Sequence, residues 1–316
     1  MNKLKISSIA TLGMNVPRIC SREWADSVIA VVVAYKSWTD LAECCARLRK
    51  IPAIEQLVVV DNSYSEVGSC LEHSNIHPVD RWITHAIPPS NLGYAGGNNF
   101  GFEVARTLGA NEVLVCNPDV QIYSDVIEGL IAEMQTEALD LISPYMREVD
   151  LTGEVRNLKN PGWDQLLGKG VVEIPATLVK SRYIPTFYGA CFIVTMRLID
   201  DLGGLSEDFF LYGEEIDFKL RMERSAYRWA VSSDFGVTHD RGSSISPGEG
   251  GKSLVAFFQS ARSAVIVGRK YWPQTVAFWT FARSVLAVAL VFRGRPSEAR
   301  AVVRGAIQGW KARVTI

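Results

Sequence analysis

The stretch VIAVVVAY, residues 28–35, restricts the fold more than any other part of the chain. It is a continuous apolar run rich in β-branched side chains, without the polar alternation of a strand wetted on one side. Such a run forms a strand covered on both faces, as in a parallel sheet sandwiched by helices. SWTDLAECCARLRK follows with helical spacing, and Ser37 or Thr39 stands ready as N-cap. The alternation then recurs: QLVVVDN (56–62) reads as a second buried strand, RWITHAI as a third and EVLVCNPD (112–119) as a fourth. Between and after them, NNFGFEVARTLG reads as a helix stopped by Gly109 and YSDVIEGLIAEMQ as another. This rhythm predicts an α/β fold with a mostly parallel, Rossmann-like sheet and right-handed crossovers. Ligands of such sheets lie beyond the carboxyl ends of the strands. Here those ends read DNS (61–63), SNLGYAGGNN (90–99) and NPD (117–119).

From about 145 to 185 the pattern dissolves into Gly, Asn and charged residues, which reads as an insertion or mobile loop region. FYGACFIVTMRLIDDLGG restores a buried strand passing into a short helix. Helical patterns follow at about 252–270, 275–292 and 296–310. MNKLKISSIATLGMNVPRIC at the start lacks a cleavage signature and reads as an extension. VAFWTFARSVLAVALVF (276–292) is short for a membrane span and carries Arg283 in its middle, so no transmembrane helix is expected.

Charge narrows the partners. A net charge of −1 argues against a chain that coats nucleic acid. Locally, residues 281–316 hold Arg283, Arg293, Arg295, Arg300, Arg304, Lys311 and Arg313 against Glu298 alone. This basic, apolar-faced tail suits an anionic membrane surface, or equally a solvated helix face packed on its own domain. Six cysteines without a C-x-x-C pair fit a reducing cytosol.

NLGYAGGNNFGF (91–102) has neither the dinucleotide-binding glycine spacing nor a P-loop pattern. It reads as a glycine-rich turn feeding a helix N-terminus, where free N–H groups suit a phosphate or ribose, or as a tight loop with structural glycines. Asp61 and Asp119 stand at strand ends, where a carboxylate holds a base, a ribose or a metal, or caps the next element; for Asp119 metal binding is expected. In DFFLYGEEIDFKLRM, Glu214, Glu215 and Asp217 open a helical pattern directly after an aromatic run. They make a charged first turn or supply a general base. His239 in VTHDRGSS could complete a mixed nitrogen–oxygen metal site with Asp119. No H-x-E or H-E-x-x-H supports a zinc hydrolase or deaminase.

Taken in order, VVVDNSYSE, NLGYAGGNN, CNPDV, YGACFIVTMRLIDDLGGLSEDFFLYGEEIDFKLR and VTHDRGSS resemble the inverting family 2 glycosyltransferases, in particular their rhamnosyltransferase-like branch. The similarity spans about residues 28–272. It implies a GT-A fold over 27–250, with a nucleotide-binding half (27–120) and an acceptor-binding half (121–250), between an extension (1–26) and a C-terminal helical region (251–316). It also implies a nucleotide-diphosphate-sugar donor, with Asp61 on the pyrimidine base and Asn91, Gly93 and Asn99 shaping the ribose and diphosphate pocket. NPD stands at the family's D-x-D position, with Asn117 for its first Asp, leaving Asp119 as a ligand of Mg²⁺ or Mn²⁺. His239, in an H-x-x-G-x-S pattern with Gly242 and Ser244, would be the second protein ligand. The family's GED-x-D is GEEID here, so Glu215 matches the catalytic Asp and Glu214 is its rival as base. Arg262 matches an arginine that faces the diphosphate, but Ser263 replaces the Asn expected after it.

The implied reaction is metal-dependent, inverting transfer of a sugar, with dTDP-rhamnose the favoured donor, to a glycan or polyprenyl-linked acceptor. The implied setting is cell-surface polysaccharide synthesis at the cytoplasmic face of the membrane. The alternatives are a transferase using a different UDP-sugar and a non-catalytic nucleotide-sugar-binding or assembly protein of the same fold, the latter raised by Glu215 and Asn117.

Overall fold

The computed structural model describes residues 27–77, 80–149, 155–175, 182–239 and 253–315. The expected extension 1–26 lies outside them. The first strands are β1 (Val28–Ala34), β2 (Ile54–Asp61), β3 (Ile83–Ala86), β4 (Glu112–Cys116) and β5 (Val120–Gln121). They alternate with α1 (Trp38–Leu48), the short α2 (Tyr64–Val67) and α3 (Cys70–His73), α4 (Gly93–Thr107) and α5 (Ser124–Thr136). Then come β6 (Leu141–Val149), β7 (Val155–Leu158), β8 (Gly162–Asp164), β9 (Lys169–Val171), β10 (Tyr183–Pro185) and β11 (Cys191–Thr195). The chain closes with α6 (Met196–Leu202), α7 (Glu214–Arg224), β12 (Trp229–His239), α8 (Leu254–Tyr271), α9 (Val276–Phe292) and α10 (Pro296–Lys311).

The main sheet runs β3-β2-β1-β4-β11-β6-β12-β5, with β7 on β6. Its first four strands are parallel, as the apolar runs predict. The other half is mixed, because β11 pairs antiparallel with both β4 and β6. β1 is central, and its side chains alternate between two cores. Ala30 and Val32 join Leu41, Leu48 and Leu130 on one face, while Ile29 and Val31 join Phe102, Ala105 and Leu198 on the other. Each fully buried Val or Leu contributes roughly 1.5–3 kcal/mol, which explains why β1 carries no polar residue.

Two expectations need correction. The glycine-rich stretch is not a turn before a helix: α4 begins at Gly93 rather than at Asn98. A Cβ at Gly97 would lie 2.8 Å from Val33 Cγ1, and one at Gly101 would overlap the Val31 side chain. Glycine at this i, i+4 spacing lets the helix press directly on the sheet, and that packing overrides glycine's poor helix propensity. The region 145–185, expected as an insertion or mobile loop region, also carries regular strands. Its described part builds β7 on β6 and a separate antiparallel sheet, β10-β8-β9.

Candidate active site

Asp61 ends β2 and is 1 % exposed. Its Oδ1 accepts from Ser63 N and Oγ, and its Oδ2 accepts from Cys70 N at 2.7 Å and from His85 Nε2 at 3.2 Å. Burial works to raise this carboxyl, but the His85, Cys70 and Ser63 donors outweigh it and hold it down at about 2. Asp61, Cys70 and His85 offer metal-ligand atoms within 4.8 Å of one another. Burial and the Asp61 charge push the Cys70 thiol up. The three residues are joined by hydrogen bonds into a floor beneath the strand ends.

Beside it, Asn62 reaches the start of α4. Its Nδ2 donates to Gly93 O at 2.8 Å, and Asn91 Oδ1 accepts from Gly93 N at 2.9 Å. Gly93 has φ +72°, and a Cβ there would overlap the Phe210 carbonyl, to which Tyr94 N donates. Asn99 is turned toward the loop after α6: its Oδ1 accepts from Leu205 N and its Nδ2 donates to Leu205 O. It thus fixes that loop against α4.

The β4 end carries Asn117, whose N–H donates to Ala190 O, and Asp119, which is 9 % exposed. β5 follows at once and pairs antiparallel with β12, setting His239 opposite Val120. Asp119 Oδ1 and His239 Nε2 consequently lie 3.1 Å apart. His239 Nε2 makes no aligned hydrogen bond among the described residues. A carboxylate oxygen and an imidazole nitrogen so placed are a donor set that fits Mg²⁺ or Mn²⁺. Gly242 and Ser244 lie outside the described residues.

Glu214 and Glu215 open α7, whose N-cap Gly213 is left-handed with φ +95° and follows Tyr212 at φ +68°. Two consecutive residues in that region are uncommon outside sites that need a fixed turn. Glu214 is 2 % exposed, and its Oε1 has no hydrogen-bond partner among the described residues. Burial, then the charge of Glu215, pushes the Glu214 carboxyl well above the usual range. Burial raises Glu215 as well, against the backbone donors of Glu215 and Gly213. Glu215 is the more accessible of the two and packs on Gly189, where a Cβ would strike its carboxylate. Gly189 O accepts from Tyr94 Oη, and Ala190 O holds Asn117. The carboxylate pair, the α4 start and the Asn117–Asp119 strand end therefore meet along the edge formed by β4 and the residues just before β11.

α8 supports the turn before α7. Arg262 Nη1 donates to Asp208 O and Ser263 Oγ to Leu211 O. Buried Asp217 accepts from Arg221 and Tyr271 and pairs with Lys270 at 2.7 Å.

Residues 29–202 match the sequence profile described as Glycosyl transferase family 2. The chain belongs to this family. It is 31 % identical over 204 residues to the low-salt glycan biosynthesis hexosyltransferase Agl10 of Haloferax volcanii. That alignment covers 63 % of this chain and 62 % of the relative, so this chain spans less than two thirds of that protein's length. Among solved structures, it is similar to the mannosyltransferase PcManGT from Pyrobaculum calidifontis in complex with GDP-Man and Mn²⁺. The TM-score is 0.53 at 13 % identity, over 90 % of this chain and 86 % of that one. GalNAc-T7 with UDP, GalNAc and Mn²⁺ gives 0.60 at 11 % identity, over 90 % of this chain and 56 % of that one. At these identities the likeness is one of fold, and the fold is GT-A-like.

Within the family 2 frame, Asp61, Asn91, Gly93, Asn99, Asn117 and Asp119 fall inside the profile match, whereas Glu214, Glu215, His239 and Arg262 lie beyond it. Sequence reasoning missed Asn62, Tyr94, Lys270 and Tyr271. Asn62 had a signal, since it adjoins a strand-end Asp. Lys270 and Tyr271 stand in the aromatic-basic run RKYWP, but nothing there pointed to their partners, which lie 53 to 64 residues away.

Proposed function

We propose that this protein transfers a sugar from a nucleotide-diphosphate donor to a hydroxyl of a glycan or polyprenyl-linked glycan, inverting the anomeric centre. L-Rhamnose from dTDP-rhamnose is the proposed donor, and the inner face of the cell membrane the proposed setting. Residues 27–120 hold the nucleotide, 121–250 receive the acceptor, and 251–316 form the helical region. The observation that carries the reading is the pair of buried Glu214 and half-buried Glu215 on the same sheet edge as Asp119 and His239. Membership of family 2 and the glycan-biosynthesis hexosyltransferase relative support it.

Glu215 is assigned as base, since it is the accessible member of the pair and its raised affinity for protons suits withdrawal from an acceptor hydroxyl. Glu214 keeps a proton and maintains the dry, neutral surroundings of its neighbour. Asp61, buried and with its oxygens already bonded, fixes the floor beneath the base through Ser63 and His85, and Asn91 and Gly93 shape the ribose and diphosphate pocket. Arg262 and Asn99 both hold the α6–α7 loop that closes the pocket. Asp119 and His239 would hold Mg²⁺ or Mn²⁺. The bound ion would neutralise charge growing on the departing diphosphate. Direct displacement needs no covalent sugar–enzyme intermediate.

The test is incubation with Mn²⁺ and a panel of nucleotide sugars, following nucleoside diphosphate release. Release from dTDP-rhamnose, lost in Glu215→Gln and Asp119→Ala, is expected. Release from a UDP-sugar alone would replace the donor. No donor bound or turned over, with wild type equal to Asp119→Ala, would overturn the enzyme reading.

A further inference from the structure

We propose that the outward faces of α9 and α10 form a docking surface for an anionic lipid bilayer, on which the protein lies without crossing it. This deepens the membrane placement proposed above, and its test requires no sugar transfer. A surface helix normally turns polar residues outward. α9 does the opposite. Its buried side is Val276, Trp279, Arg283, Ala287 and Leu290. At about 100° per residue, Phe278, Phe281, Val285, Val288 and Phe292 share an arc of about 80° on the far side. All five are exposed, Phe281 at 62 % and Phe292 at 87 %. The helix's single charge, Arg283, points inward, where its guanidinium donates to Leu167 O at 2.8 Å and to Gly168 O. Trp279 Nε1 likewise donates to Gln165 O. α9 is thus pinned to the domain by one face and offers the other.

α10 continues the apolar surface with Val303, Ile307 and Trp310, all exposed. Trp310 Nε1 donates to Thr280 Oγ1 at 3.0 Å, which joins the two helices at this edge. By the same rotation Arg300, Arg304 and Lys311 form the adjoining strip, away from buried Val302, Ala306 and Gly309. Arg293 lies in the turn between the helices. Arg295 is paired with Glu298, the one acid of the segment, so the remaining bases there have no opposing acid in 281–316.

An apolar stripe with a basic rim matches the acyl boundary and the negative headgroups of an anionic leaflet. A second copy of the chain would set two basic rims together, which disfavours self-association. Spanning is not available either, since no described helix is long and apolar enough to cross a membrane. The loop that Trp279 and Arg283 clamp joins β8 to β9, so docking would orient this small sheet toward lipid-linked acceptors.

Flotation of the full chain with phosphatidylcholine–phosphatidylglycerol vesicles, against pure phosphatidylcholine, tests this. Binding to the anionic vesicles, weakened by salt, is expected. The Phe281→Ser/Phe292→Ser variant should lose about 10-fold or more in partitioning, and Arg300→Glu/Arg304→Glu a comparable factor. Both pairs are exposed, and circular dichroism checks the fold. No binding, or equal binding by wild type and both variants, would overturn the proposal. So would a dimer in sedimentation that Phe281→Ser/Phe292→Ser dissolves.

Discussion

His239 Nε2 stands 3.1 Å from Asp119 Oδ1, and the pairing of His239 with Val120 across β5 and β12 puts it there. Two donor atoms brought together by a strand pair of so few residues act as one unit. Asp119→Ala and His239→Ala should therefore each lower Mn²⁺-supported turnover about 100-fold or more, and the double variant little further. Titration of Mn²⁺ with nucleoside diphosphate by calorimetry checks this. Additive losses would show that the two residues serve separate purposes.

Glu214 and Glu215 compete for protons in one dry site. Glu214 is the more buried and is also raised by its neighbour's charge, so it retains its proton while Glu215 ionises. Glu215→Gln should cost about 10²–10⁴-fold in kcat. Glu214→Gln, which imitates the protonated acid, should cost about 10-fold or less. The acid limb of kcat/KM should lie above the usual carboxylate range. A carboxyl raised in the folded state destabilises the fold as pH climbs from its unfolded value through its folded one. Glu214→Gln should thus melt higher than wild type at neutral and alkaline pH and similarly below about pH 4. An equal shift at every pH would refute the titration argument.

How much of this was legible depended on how local each cause is. β1 announced itself because burial on both faces excludes polar residues from a seven-residue strand. β6 carries Arg147 and Glu148 and gave no such signal. β12 is broken by a register shift between Val231 and Gly236, which blurs its alternation. The strands β8, β9 and β10 are three residues each, too short for a period to show. The first turn of α4, up to Gly97, was misread as a loop because Gly93, Gly96 and Gly97 are poor helix formers by themselves, and only the packing of Gly97 on Val33 and Asn62 gives that glycine purpose. In the site, residue types pointed to Asp119, His239 and the glutamates. The Lys270–Asp217–Tyr271 support could not be read, because a hydrogen bond between distant residues leaves no spacing in the sequence.

Asp61 should make stability acid-sensitive. Its carboxyl is held at about 2 in the fold, against an ordinary 3.8. A depressed folded value contributes stability that is present above the unfolded value and lost as pH falls through the folded one. The difference corresponds to about 2 kcal/mol. Urea melts should show this fraction disappearing in wild type between about pH 4 and pH 2. Asp61→Asn should be less stable at neutral pH by about 2 kcal/mol and show a flatter profile in that window. Parallel profiles would mean that Asp61 is not the group titrating.

Gly101 tests whether α4 needs glycine for packing or for a ligand. In a helix interior, alanine should gain about 1 kcal/mol over glycine. Here the added Cβ would run into Val31 at the centre of β1 and the tip of Val60 in β2. Overpacking of this kind costs about 1–3 kcal/mol. Gly101→Ala should therefore destabilise the protein by about 1–2 kcal/mol in urea melts. Gly170 has nothing within 4 Å of an added Cβ, and Gly170→Ala should leave the midpoint nearly unchanged. Shortening Val31 to Ala in the Gly101→Ala background should cost less than Val31→Ala alone, because the new methyl occupies part of the space vacated. If Gly101→Ala instead melts at or above wild type while donor affinity falls, the close approach of helix to sheet is not what the glycine serves.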